Sequence, residues 1–157
     1  MSVITIYTDG AAKGNPGNGG YGVVMMSGHH KKELSEGFRL TTNNRMELLS
    51  VIVALETIKT TNAQVEIFSD SKYVVDSVEK KWVFGWQKKG FKGKKNIDLW
   101  QRFLKIYPKH QVKFNWVKGH AGNLYNERCD ELAVQAAEGQ NLLIDEGYEK
   151  ESSEGLF

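Results

Sequence analysis

The chain has 157 residues, a quarter of them charged, with a formal net charge of +2 and a single cysteine. That length describes one domain able to bury a substantial core. No stretch approaches the roughly 20 apolar residues of a membrane helix, the N-terminus lacks a charged start followed by an apolar signal core, and Cys129 alone cannot form an internal disulfide; the expectation is a cytoplasmic protein without a membrane anchor.

In chain order, residues 3–9, about 20–26 and about 31–39 read as strands joined by turn-rich segments, an antiparallel meander. Thr42, Asn43 and Asn44 are candidates to cap a helix running through about Thr60, and MELLSVIVALETI is apolar nearly all round, as a buried helix should be. A strand at 65–69 follows, then a helix near 71–79, a second helical stretch near 82–89 and a helix near 97–107. A strand at 112–116 and a helix at 126–138 complete the pattern. Strands separated by helices add in parallel, so the predicted fold is α/β: a mixed five-stranded sheet, antiparallel meander plus two parallel strands, flanked by helices. No internal repeat or domain linker interrupts it. After Gly139 the chain is polar and acidic apart from LLI, and residues 149–157 are expected to be a disordered acidic tail.

Four acids stand out on this layout. Asp9 ends VITIYTD and Asp70 ends VEIFSD, both at the predicted carboxyl ends of strands, where open α/β sheets place ligands. Taken singly, Asp9 also fits the start of a turn and Asp70 the N-terminus of a helix. Glu47 lies three residues after Asn44, the spacing of a capping box. Asp130 is harder to explain structurally. Glu127, Glu131, Gln135 and Glu138 form one polar side of the last helix, whereas Asp130 falls among Ala133, Val134 and Ala137. An acid on an apolar face is costly unless paired or metal-bound. Converging carboxylates repel unless cations lie between them, and four oxygen donors suit two hard divalent ions of the kind used in phosphoryl transfer.

The modest net charge conceals a basic segment. Residues 80–118 carry twelve Lys or Arg against Asp98 alone, whereas residues 119–157 are net acidic. Trp82, Phe84, Trp86 and Phe91 interleave with Lys80, Lys81, Lys88, Lys89 and Lys92, and Trp82 and Trp86 share a helix face. A lysine run is usually a solvated face, and some of these aromatics could serve only to anchor the segment. Stacking surface combined with clustered charge fits nucleic-acid backbone binding. In GAAKGNPGNGG, backbone amides and Asn15 can approach a sugar–phosphate chain closely, although the string also fits a plain tight turn. His120 sits in the glycine loop GHAGN, either solvated or, near carboxylates, able to accept or relay a proton.

The strings TDGAAKGNPGNGGYG, TTNNRMEL, SDSKYV, NIDLWQR, WVKGHAG and NERCDELA occur in order along the chain, and together they resemble bacterial ribonuclease HI, of the type 1 ribonuclease H family. The resemblance runs from Thr8 to about Tyr148. It implies a catalytic domain over 1–148 with a basic protrusion at about 80–95. The implied activity is an endonuclease that hydrolyses the RNA strand of RNA–DNA hybrids to 5′-phosphate and 3′-hydroxyl ends, as a monomer. By the same resemblance Asp9, Glu47, Asp70 and Asp130 hold two Mg2+ ions, with Mn2+ a substitute, and His120 is catalytic. Thr42 would contact phosphate; Asn15, Asn43, Asn44 and Lys72 would contact the hybrid; the arm with Trp82, Trp86, Lys88 and Lys89 would grip its DNA strand. The ribose 2′-hydroxyl distinguishes the strand to be cut.

Two departures are visible. GFKGKKNIDLW is shorter than in the enteric relatives, and Lys72 stands where many relatives have glutamine. A non-catalytic hybrid-binding module on the same fold is disfavoured, because pure binding gains nothing from clustered anions near phosphate. A DNA-cutting transposase or junction resolvase is disfavoured by NPGNGGYG, TTNNRMEL and the basic arm.

Overall fold

The computed structural model describes residues 3–119 and 122–154. Three long strands, β1 (Ile4–Gly14), β2 (Gly17–Ser27) and β3 (His30–Thr41), form the meander. They are followed by α1 (Asn43–Thr57), β4 (Gln64–Ser69), α2 (Lys72–Glu79), α3 (Trp82–Lys88) and α4 (Ile97–Ile106). β5 (Gln111–Trp116), α5 (Leu124–Ala137) and α6 (Glu146–Glu154) complete the described chain. The sheet order is β3-β2-β1-β4-β5, antiparallel on the meander side and parallel from β1 through β4 to β5.

The predicted mixed sheet is therefore present, with two local corrections that matter. Asp9 does not end a strand: β1 continues to Gly14 against β2, while its pairing with β4 stops at Thr8 opposite Ser69. Asp9 and Asp70 consequently occupy the same level of two adjacent parallel strands, immediately beyond their last paired residues. Of the cap candidates Thr42, Asn43 and Asn44, Thr42 caps α1, its hydroxyl accepting from the Arg45 amide at 3.3 Å. The helix ends at Thr57 rather than about Thr60, because Ile58 turns extended and packs on the core.

One face of the sheet carries α1, whose Leu48, Val51, Ile52 and Leu55 pack with Ile6, Ile67, Trp100 and Phe103 in the main core. The other face carries α5, where Val24, Cys129 and Leu132 form a smaller cluster. Glycine permits this close approach. A Cβ on Gly22 would lie 2.2 Å from the Cys129 carbonyl oxygen, so α5 can settle only on a bare backbone. Gly22 is paired with Asp9, and the residue after Cys129 is Asp130. The glycine thus lets α5 sit low enough to deliver its acid beside β1.

Arg45 is the main buried ion of the fold and was not anticipated. Its side chain, 1 % exposed, forks onto Asp98 at 2.8 and 2.7 Å and onto Asp145 at 2.8 and 2.9 Å. Thr41 donates its hydroxyl to the same Asp145 carboxylate at 2.7 Å. This one guanidinium ties α1 to the start of α4 and to the chain just before α6.

Of the stretch 149–157 expected to be a disordered tail, residues 149–154 belong to α6, and 155–157 lie outside the described residues. Asp145 starts the helix, accepting from the Tyr148 and Glu149 amides. Arg39 then clamps Glu149 bidentately at 2.9 and 2.8 Å. Upstream, Leu143 bridges to β3 through its amide to the Gly37 carbonyl and its carbonyl to the Arg39 amide. An acidic composition favours solvation only where no basic partner waits, and here Arg39 does.

Candidate active site

Where β1 and β4 part, Asp9 and Glu47 lie buried and Asp70 half-buried, with one carboxylate oxygen from each within 4.8 Å of the others. Asp130 lines the same cleft from α5. The four acids separated along the sequence therefore share a cleft of about 460 Å3, whose rim includes Asn43, Asn44 and Lys72.

Glu47 owes its place to glycine rather than to a capping box. Thr42 already caps α1, and Glu47 instead accepts a short hydrogen bond from the Gly10 amide, which also donates to Asp9. A Cβ on Gly10 would stand 2.3 Å from the Glu47 amide nitrogen. Only a bare residue lets α1 approach β1 closely enough for its acid to meet Asp9.

The electrostatics of this cluster are unfavourable in the bare protein. Burial, reinforced by the charges of Asp70 and Asp130, pushes Asp9 up to about 7 despite the hydrogen bonds from Glu47 and Gly10. Burial, the bond to Asp9 and the Asp9 and Asp70 charges hold Glu47 well above the usual carboxylate range. Buried acids in this state share protons unless cations replace them. All the donors are hard oxygens, which fits Mg2+ or Mn2+ and not a thiophilic ion. Cys129 does not take part: burial pushes its thiol above the ordinary range, and it donates to the Tyr7 carbonyl at 3.2 Å.

A second cleft of about 500 Å3 adjoins the first through Asn44. Asn15 and Thr42 line it, and Asn15 accepts from the Asn43 amide at 3.1 Å. Lys95, Asn96 and Tyr148 of α6 also line it. Lys95 belongs to the basic arm already singled out, whereas Asn96 and Tyr148 were missed; the NIDLWQR string begins at Asn96 and could have signalled it, but nothing local ties Tyr148 to this surface. Trp116, near the first cleft, was missed as well.

The basic segment divides into anchors and contact surface. Val83 and Phe91 are buried, Phe84 packs near Tyr107 at 5.7 Å, and Trp86 meets Trp100 edge-on at 5.8 Å. Trp82 is 47 % exposed with the Lys80 ammonium 5.3 Å from its ring centre. Trp82 and Trp86, which share a helix face, differ in setting: the first is largely exposed, and the second packs edge-on against Trp100 with the Lys94 ammonium 4.9 Å from its ring centre. Lys88, Lys89, Lys92, Lys94 and Lys95 are exposed. His120 lies outside the described residues.

Comparison with known proteins gives this arrangement a family. The RNase H family model matches residues 1–138. The chain is 58 % identical to a ribonuclease H of Desulforamulus reducens over 150 residues, covering 92 % of this chain and 94 % of the relative. It is 54 % identical to a ribonuclease H of Shewanella amazonensis over 154 residues, covering 95 % and 97 %. Among solved structures it is similar to LC9-RNase H1, a type 1 RNase H with the type 2 active-site motif, with a TM-score of 0.81, 35 % identity, and coverage of 96 % of this chain and 80 % of that one. It is also similar to LC11-RNase H1, solved in complex with an RNA/DNA hybrid, with a TM-score of 0.61, 27 % identity, and coverage of 86 % and 96 %. A match of this extent, on a sheet that gathers the acids into one cleft, means that the chain belongs to the ribonuclease H family, metal-dependent endonucleases that hydrolyse the RNA strand of RNA–DNA hybrids.

Proposed function

We propose that Asp9, Glu47, Asp70 and Asp130 hold two Mg2+ ions, with Mn2+ able to substitute, and that this centre cuts RNA paired to DNA. The observation that carries the assignment is the convergence of three carboxylates within 4.8 Å in a cleft lined also by Asp130. Divalent ions, when bound there, supply Lewis-acid activation of a water and stabilise the leaving oxygen.

The chain's own residues do the rest. Ionised Asp9 and Glu47 keep the ligands fixed, because the Gly10 amide orients both. Asn15, Thr42, Asn43 and Asn44, spread along the two adjoining clefts, position the hybrid across the acids. Attack by water on the scissile phosphorus in line with the 3′ oxygen breaks the P–O3′ bond and leaves 5′-phosphate and 3′-hydroxyl ends. His120 takes up or relays a proton during this exchange. The arm, through Trp82, Lys88 and Lys89 with Trp86 as its anchor, holds the DNA strand.

We also assign the enzyme to the cytoplasm as a monomer whose catalytic domain covers 1–148 and continues through the rest of α6 to Glu154. A single buried cysteine fits a reducing compartment, and among the described residues no helix is long and apolar enough to cross a membrane.

The test is the chemistry of the ends. A labelled RNA strand in a hybrid should be cut only when divalent ion is present, leaving 3′ ends that a polymerase extends directly. Cyclic phosphate ends, formed in EDTA, would instead show attack by the ribose 2′-hydroxyl and overturn the assignment.

Two further outcomes are expected. His120→Ala should lower the single-turnover plateau by roughly 10²-fold, the lower end for a general acid–base group, at a similar magnesium midpoint. A full plateau reached only at much higher magnesium would make His120 a metal-site residue. Replacing Lys88, Lys89, Lys92, Lys94 and Lys95 with alanine should weaken hybrid binding and flatten its salt dependence, since fewer counterions are released. An unchanged slope of log affinity against log salt would show that these lysines are merely solvated.

A further inference from the structure

Trp116 is 46 % exposed at the end of the edge strand β5, beside Asp70 of the acidic cleft. Its register partner is Ser69, so its ring stands next to Asp70. Two contacts fix it there. The indole Nε1–H donates to the Asp70 main-chain carbonyl at 3.2 Å, and the ring carries the Lys72 ammonium 4.6 Å from its centre. Lys72 is the first residue of α2, and it lines the cleft that holds Asp9, Glu47, Asp70 and Asp130.

A lysine side chain has many rotamers and a compact, strongly hydrated charge. Beside four carboxylates it could fold inward onto the acids or swing out to water. An aromatic face attracts the ammonium without neutralising it, so the charge stays at the rim with its donors available.

We propose that Trp116 is a positioning residue that holds Lys72 at the cleft rim, where the ammonium meets a backbone phosphate of the hybrid flanking the scissile one. This rests on the metal-dependent, hybrid-cutting role of the cleft. Phosphate is the matching chemistry because Lys72 presents a point charge with rotatable donors, suited to a phosphate oxygen and poorly suited to a base edge or a neutral hydroxyl. The substrate is then gripped through one additional charge next to the reacting group, and Trp116 acts only through that charge.

The test is equilibrium binding of a labelled hybrid in EDTA at several salt concentrations, for Lys72→Gln, Trp116→Leu, Trp116→Phe and the double variant Lys72→Gln/Trp116→Leu. Thermal melting of each variant checks that it is folded. Lys72→Gln should weaken binding by roughly three- to tenfold and lower the salt slope by about one. Trp116→Leu should weaken binding by about two- to fivefold in the wild-type background and add nothing in the Lys72→Gln background. Trp116→Phe keeps the ring face and loses the bond to Asp70, and should recover most of the affinity lost in Trp116→Leu. Additive losses in the double variant, or an unchanged salt slope in Lys72→Gln, would overturn the proposal. So would Trp116→Phe behaving like Trp116→Leu, because the bond to Asp70 would then be what matters. Failure of the underlying role is seen separately, as wild-type protein that does not cut the hybrid in magnesium.

Discussion

Asp9→Asn and Asp70→Asn should each lower single-turnover cleavage of a hybrid by at least about 10³-fold, the upper range for removing one preorganised group that stabilises developing charge. Neither should unfold the protein. Asp9 is pushed from its ordinary 3.8 up to about 7 by burial and by neighbouring acids. Between those values the folded state binds a proton that the unfolded chain releases. The metal-free wild type therefore loses stability as pH rises from about 4 to about 7. Asparagine cannot ionise, so Asp9→Asn should melt at or above the wild-type temperature without metal at pH 8, with a flatter dependence on pH. Added magnesium should raise the melting temperature of the wild type more than that of the variant. Near wild-type turnover in either variant would remove these acids from the reaction.

Arg45→Ala should have the largest effect on stability. Its guanidinium is 1 % exposed and holds Asp98 and Asp145, the latter itself buried. Removing one partner of a buried ionic cluster leaves the other charges uncompensated, at a cost of roughly 3–5 kcal/mol. For a domain of this size that corresponds to a fall in melting temperature of about 6–20 °C. Burial alone would raise the Asp98 pKa, yet its bonds to Arg45 hold it below the ordinary carboxylate value of 3.8. That contribution is complete above the ordinary value and is lost as pH falls through the lower folded one. The gap between variant and wild type should therefore narrow in strong acid. Because Arg45 directly follows Asn43 and Asn44 on α1, the hybrid contacts proposed for those two residues should weaken as well. A variant melting within about 2 °C of the wild type would show that the three-way tie contributes little.

The features legible in the sequence are those with local signatures. Apolar runs and glycine-rich breaks marked all five strands, and the polar side of α5 exposed Asp130 as misplaced unless it had a partner. The four acids emerged because each sits at a strand level or helix face where charge is costly. What stayed hidden depends on partners distant in the chain. Nothing near Asp9 reveals that β1 outruns β4 and continues against β2, because strand length is set by which neighbour remains to pair. Glu47 was open to a capping-box reading until Gly10, 37 residues away, proved to be its partner. Arg45 reads as an ordinary polar residue on a helix, yet its acids lie 53 and 100 residues further on. Acidic composition suggested a solvated tail, and α6 is held by partners far back in the chain, Arg39 on β3 at Glu149 and Arg45 on α1 at Asp145. The division of the arm into the anchor Trp86 and the exposed Trp82 depends on Trp100 of α4, which helical spacing within the arm cannot reveal.

The central claim is that the cleft joining Asp9, Glu47, Asp70 and Asp130 uses divalent metal to cut RNA only where it is paired with DNA. The most direct test is cleavage of four end-labelled duplexes of equal length, with magnesium and with EDTA: RNA–DNA, RNA–RNA, DNA–DNA, and a DNA duplex carrying a single ribonucleotide. Internal cuts should be confined to the RNA strand of the RNA–DNA duplex, present in magnesium and absent in EDTA. Equal cutting of the DNA–DNA duplex, or undiminished cutting of the hybrid in EDTA, would contradict the claim.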